Sequence, residues 1–159
     1  MYPVMADLRD KKVLVVGAGG VGTRKTHKLL SAGAQVTVVS PEASSEIIGL
    51  SNAGKLAWKR RRFKIGDLRS KFLVIAATNS AQVNSRVYHA CERKNLLVNS
   101  VDDPANCNFF VPATVSRGKL ILAISTSGRA PYFARRLKEF FDELLPRDLD
   151  SQIENLDSI

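Results

Sequence analysis

The chain has 159 residues, 45% of them hydrophobic and 25% charged, which is one domain's worth of chain with enough apolar content for a buried core and excludes a disordered polymer. No run approaches the roughly 18 apolar residues of a membrane span and MYPVMADLRDKK lacks a signal-peptide centre, while Cys91, Cys107, His27 and His89 are too few for a disulfide framework, a tetrahedral structural zinc site or a His-rich cage; a soluble, cytoplasmic protein is expected. The net charge of +9 is uneven, with seven basic residues and one acid in residues 59–71 and six acids and Arg147 in residues 142–159, so a basic body with an acidic tail implies an anionic partner.

Residues 12–16, KVLVV, end at glycine and read as a buried parallel strand. Residues 21–32 place Val21, Leu29 and Leu30 at helical spacing, and Gly33 closes that helix. Strand 35–39 stops at Ser40-Pro41, a short helix follows over 43–52, and KLAWK at 55–59 reads as a third strand. FLVIAA at 72–77 is a fourth strand, residues 80–94 a helix with Val83, Val87 and Ala90 on one face, and LLVNSV at 96–101 a fifth strand. Alternating apolar strands and helices specify a doubly wound parallel sheet with helices on both faces. Beyond it, 108–114 and 119–125 read as two strands around Ser116-Arg117-Gly118, and 131–144 as a helix that Pro131 opens and Pro146 stops. The organisation expected is a nucleotide-type domain over 1–112, a strand-helix appendage over 113–146 and an acidic tail over 147–159.

Gly17-Ala18-Gly19-Gly20-Val21-Gly22 is a G-x-G-x-x-G between the first strand and the first helix. Gly17 permits a tight turn, Gly19 lets backbone approach a pyrophosphate, Gly22 lets helix and strand pack closely, and the helix start supplies free N–H groups. In that context the motif predicts dinucleotide binding. After the second strand, Ser40 can bond a ribose hydroxyl, Pro41 shapes the turn, and Glu42 could repel a 2′-phosphate, so NAD is expected over NADP. Ala76-Ala77-Thr78-Asn79 ends the fourth strand with small residues that let a cofactor lie flat and a hydroxyl on Thr78.

Asn99-Ser100-Val101-Asp102-Asp103-Pro104 ends the fifth strand on the same sheet edge, where either Asp102 or Asp103 could serve as general acid or base, or as ordinary turn chemistry. Ser125-Thr126-Ser127-Gly128-Arg129 precedes the last helix; its hydroxyls can cap that helix or, with Arg129, hold an anion. The run Lys59-Arg60-Arg61-Arg62 has only Trp58 and Phe63 beside it. It reads as a solvated edge with no aromatic platform for nucleic acid.

The stretches VLVVGAGGVGTRKTHKLLSAGAQVTVVSPE, FLVIAATNSAQVN and LLVNSVDDPANCNFFVPATVSRGKLILAISTSGRAPYFARRLKEF, spanning about residue 3 to residue 146, resemble the precorrin-2 dehydrogenase family. This is the siroheme-synthase amino-terminal module, and some members are also sirohydrochlorin ferrochelatases. The glycine loop is widely shared. The combination of AAT-x-x-x-x-VN, VN-x-VD-x-P, F-x-x-P-A and ST-x-G-x-x-P-x-x-AR is specific. The resemblance implies a Rossmann-type domain with a small carboxyl-terminal dimerisation appendage, a homodimer, and NAD-dependent oxidation of precorrin-2 to sirohydrochlorin. It matches the family's acid/base aspartate to Asp102, its NAD contacts to Gly20, Val21, Pro41 and Glu42, and its serine-rich turn to Thr126 and Ser127. Asn99 and Arg129 are expected on the tetrapyrrole's side, and a polycarboxylate substrate suits the basic body. Members continue with a further helical segment where this chain stops at Ile159, which weighs against iron insertion more than against dehydrogenation. A nucleotide-sensing module without catalysis would share the glycine loop, with no use for Asp102.

Overall fold

The computed structural model describes residues 1–149. Two compact units divide the chain, Tyr2–Phe109 and, with Met1, Phe110 onward. In the first, strands β1 (Lys12–Val16), β2 (Gln35–Val39), β3 (Ala57–Lys59), β4 (Leu73–Ala76) and β5 (Leu97–Ser100) form one parallel sheet in the order β3-β2-β1-β4-β5. Helices α1 (Gly20–Ser31), α2 (Ser45–Asn52) and α3 (Ala81–Glu92) connect them. This is the α/β, Rossmann-type sheet the alternation predicts; β1 and β2 have the expected ends, and the other elements differ by one or two residues.

The central strands β1, β2 and β4 are largely apolar because both faces are covered. On one face Val13, Val15, Val36 and Val38 pack with Leu29 of α1 and Ile47 of α2. On the other, Leu14, Val16, Val74 and Val98 pack with Val87, Ala90 and Cys91 of α3 and with Phe63 and Leu68. Burial pushes the Cys91 thiol up to about 12, which leaves it an inert core residue. His27 lies on the surface of α1, its Nε2 2.8 Å from Glu46 Oε2.

Leu68 reaches that core from a 3-10 turn, Ile65–Leu68, which the sequence pattern did not predict. The turn is built on Asp67, whose side chain is only 3% exposed. Its Oδ2 accepts from the Lys64 amide at 2.9 Å and from Arg61 Nη1 at 2.8 Å, while Oδ1 accepts from Arg61 Nη2 and from Lys59 Nζ at 3.3 Å. The Arg61 guanidinium, foremost, holds the Asp67 carboxyl far below the usual carboxylate range. A group depressed on folding stabilises above its unfolded pKa, near 4, and loses that contribution as pH falls. Asp67→Asn is expected to cost about 1–3 kcal/mol at neutral pH, and to flatten the acid limb of stability. Denaturant unfolding of both proteins between pH 7 and about pH 3 checks this, and parallel curves would refute it.

In the second unit, β6 (Ala113–Arg117) and β7 (Leu120–Ile124) form an antiparallel hairpin around Gly118-Lys119, and α4 (Pro131–Leu144) begins at the proline as expected. Arg117 fastens hairpin to helix, with Nη2 2.7 Å from the Asp142 carbonyl oxygen and 3.0 Å from its Oδ1. The strand expected over 108–114 is corrected to Ala113–Arg117. Asn108 instead closes on the sheet edge: its amide donates to the Val98 carbonyl at 3.0 Å, and its Oδ1 accepts from the Val98 amide at 2.7 Å. Pro112 then separates that segment from the hairpin. Of the expected acidic tail, residues 150–159 lie outside the described residues.

Candidate functional site

The carboxyl ends of β1, β2 and β4 open on a cleft of about 950 Å³. Gly17, Ala18 and Gly19 come to it from the first loop, Ser40, Pro41 and Glu42 follow β2, and Thr78, Asn79 and Ser80 follow β4. Gly17 has φ 102°, donates its amide to the Val39 carbonyl at 3.0 Å, and leaves no room for a side chain, which would strike the Ala77 carbonyl. A side chain at Gly22 would strike the Gly17 carbonyl, so this glycine sets how closely α1 approaches β1.

Gly19 is different: a Cβ there would meet nothing within 4 Å. It caps α1 without any side-chain bond, and the first turn contains no acid. The amides of Gly20, Val21 and Gly22 have no acceptor within the helix, and they lie at its positive end. An open floor at Gly19 beside these amides fits the pyrophosphate of a dinucleotide. Gly20, Val21 and Gly22 belong to that first turn and do not line the cleft itself.

Thr78 is more constrained than its hydroxyl suggested. Asn84 of α3, itself buried, accepts from Thr78 Oγ1 at 2.7 Å and from the Thr78 amide at 3.2 Å, and donates Nδ2 to the Thr78 carbonyl at 3.0 Å. The threonine proton is used inside the protein, so Thr78 shapes the cleft wall with its backbone and methyl group. This accounts physically for the AAT-x-x-x-x-VN spacing, because the asparagine locks the turn that the threonine opens. Ser40 is held by its backbone, its carbonyl accepting from Trp58 Nε1 at 3.1 Å. Arg62, Phe63 and Arg86 also line the cleft. Arg62 belongs to the basic run, but no local pattern marks it, Phe63 or Arg86 as a cleft residue.

The β5 end carries the carboxylates. Asp103 accepts from Asn106 Nδ2 at 2.5 Å within the turn Pro104–Asn106. Asp102 is exposed, sits at φ 60°, and has no hydrogen-bond partner among the described residues. It does not line the glycine-loop cleft. Lys25 of α1 is near: burial pushes its ammonium down, while Asp102 and Cys107 act the other way. Asn99 is buried, and its Nδ2 donates to the Phe109 carbonyl at 3.1 Å and lies 3.4 Å from Cys107 Sγ. The Cys107 thiol, raised by burial, also receives the Ser100 amide at 3.2 Å. Asn99 and Cys107 therefore fasten the loop that presents Asp102.

In the second unit Thr126 Oγ1 accepts from the Ala130 amide at 3.0 Å, steadying the turn ahead of α4. Ser127 has φ 55° and its amide donates to Ser125 Oγ at 3.2 Å. Arg129 is exposed, with its amide on the Thr126 carbonyl at 3.0 Å.

A parallel sheet with a glycine-rich turn at a helix start and a cleft across the strand ends defines a dinucleotide-binding protein. Comparison with known proteins agrees: a family model described as NAD(P)-binding matches residues 4–113. The solved structure of SirC, precorrin-2 dehydrogenase, superposes with a TM-score of 0.86 at 36% identity, covering 99% of this chain and 78% of that one. The siroheme synthase of Actinobacillus succinogenes is 42% identical over 148 residues, and siroheme synthase 1 of Yersinia enterocolitica is 45% identical over 147. The match covers 93% and 92% of this chain, and the chain spans 31% of the length of each of these relatives. The chain belongs to the precorrin-2 dehydrogenase family.

Proposed function

We propose that the chain oxidises precorrin-2 to sirohydrochlorin in siroheme biosynthesis, with NAD+ as acceptor, in the cytoplasm. The observation that carries this reading is the likeness to SirC over 99% of the chain, joined to a cleft whose floor at Gly19 is open to a pyrophosphate. When bound, NAD+ supplies the hydride acceptor. Precorrin-2 loses a hydride and a proton, and the chain's own part is to hold both molecules and accept that proton. The exposed carboxylate of Asp102 is the proposed acceptor. Gly17, Gly19, the first turn of α1 at Gly20, Val21 and Gly22, the Ser40-Pro41-Glu42 segment and the Thr78 backbone hold the dinucleotide. Glu42 favours NAD+ over NADP+, because its carboxylate repels a 2′-phosphate. Thr126, Ser127 and Arg129 are assigned to the substrate's carboxylates, and Asn99 acts by positioning the loop after β5. An anaerobic assay with precorrin-2, following NADH, tests the reading. NAD+ binding without NADH formation would favour a regulatory nucleotide-binding module. Adding Fe2+ to the same assay tests iron insertion, the second activity of bifunctional members.

A homodimer belongs to this proposal. Within α4 only Ala134 is buried, while Tyr132, Phe133, Phe140 and Leu144 are between 56% and 75% exposed and Ile121 of β7 is 51% exposed. Apolar area of that kind is what a two-fold interface covers. Light scattering at micromolar concentration is expected to give about twice the 17.4 kDa chain mass, and a monomer mass would refute the dimer.

A further inference from the structure

The basic run over 59–71 is not explained by the dinucleotide cleft, which takes only Arg62 and Phe63 from it. Four of its six remaining basic residues fall into two groups. Lys59 and Arg61 pair with Asp67. Arg69 and Lys71 instead turn to a second cleft, of about 760 Å³, which they share with Lys12 and Lys55. This cleft lies at the opposite end of the strands from the glycine loop: Lys12, Gln35 and Ala57, the first residues of β1, β2 and β3, all line it.

We propose that this cleft is a second binding site, for a compact anion bearing two or more phosphate or carboxylate groups. Five cations line it, and its one acid, Asp67, is held by Lys59 of that lining and by Arg61, which leaves Lys12, Lys55, Arg69 and Lys71. Among the described residues, no carboxylate pairs with Lys12, Lys55, Arg69 or Lys71. Lys71 is half-buried and fixed, its Nζ donating to Thr37 Oγ1 at 2.8 Å. Spread charges of this kind suit a ligand with several oxyanions rather than one. The lining contains no aromatic side chain, so it offers no stacking platform for a nucleic-acid strand. Its volume is that of a small-molecule site. As a supporting point, burial and then the nearby Lys59 and Lys12 push the Lys71 ammonium down, a repulsion that a bound anion relieves.

The test uses the full chain saturated with NAD+, at low ionic strength because surface attraction is screened by salt. Inorganic pyrophosphate and tricarballylate, a tricarboxylate, are titrated separately by calorimetry. One equivalent of either is expected to bind. Pyrophosphate alone marks a phosphate site, tricarballylate alone a carboxylate site, and both mark recognition by charge number. Lys12→Gln/Lys71→Gln should weaken binding about tenfold or more. Lys28→Gln/Lys94→Gln, which removes two exposed charges elsewhere, should leave it within about twofold. In the unmutated protein the probe should also slow acylation of the Lys71 amine, read by mass spectrometry. Failure of both probes to bind, equal losses in the two double variants, or unchanged Lys71 acylation would each overturn the proposal.

Discussion

Asp102→Ala is expected to fold, to bind NAD+ with unchanged affinity, and to lose about 10²- to 10⁴-fold in precorrin-2 oxidation. The fold should survive because the side chain is exposed and has no hydrogen-bond partner among the described residues. Aspartate is also among the residues that tolerate φ near 60°, so alanine adds a modest backbone strain there. NAD+ affinity should survive because Asp102 does not line the glycine-loop cleft. Turnover should fall because a hydride leaves precorrin-2 only if a proton leaves too, and Asp102 is the carboxylate after β5 that local structure leaves uncommitted. Asp103→Ala is the matched control. Its carboxylate already serves Asn106, so its loss should lower stability by about 1 kcal/mol and turnover little. Steady-state rates of the two variants decide the assignment. An Asp102→Ala rate within about threefold of the unmutated protein would leave binding and orientation to carry the chemistry.

Gly19→Val is expected to abolish measurable NAD+ binding while leaving the protein folded. The reason is the contrast among three glycines of one loop. A side chain at Gly17 collides with the Ala77 carbonyl and one at Gly22 with the Gly17 carbonyl, whereas one at Gly19 meets no protein atom within 4 Å. Valine at position 19 therefore costs the apo-protein little and occupies the space a pyrophosphate needs above the amides of α1. Gly17→Val and Gly22→Val should instead lower stability itself. Calorimetric titration of NAD+ into Gly19→Val, with circular dichroism confirming its fold, gives the answer. Unchanged affinity would show that the dinucleotide does not cross this loop.

How far the sequence reached can be judged from particular elements. The first elements were legible because β1 and β2 are short and strongly apolar, α1 is periodic, and Gly17, Gly33 and Pro41 mark their ends. The glycine loop was legible because its residues are consecutive and each has one steric task. Residues 108–112 misled, since Asn108-Phe109-Phe110-Val111 has strand composition, yet Asn108 and Phe109 bond to Val98 and Asn99 of β5, ten residues back. A run of apolar residues carries no record of which neighbour will accept its amides. Thr78 looked like a free hydroxyl because Asn84 stands six residues on and on another element; only folding α3 over the end of β4 brings the amide to it. The aspartate pair was ambiguous for the same reason, and the bond from Asn106 separates Asp103 from Asp102.

The basic run shows the division most plainly. Its charge and its position after β3 were determined by sequence alone, and so was the expectation of an anionic partner. Which charge goes where was decided by tertiary structure. The buried Asp67 takes Lys59 and Arg61, Arg62 lines the dinucleotide cleft, and Arg69 and Lys71 join Lys12 of β1 and Lys55 ahead of β3. Local composition fixes how much charge a segment bears, but charges interact through space, and their partners are chosen only when the sheet brings separate segments together.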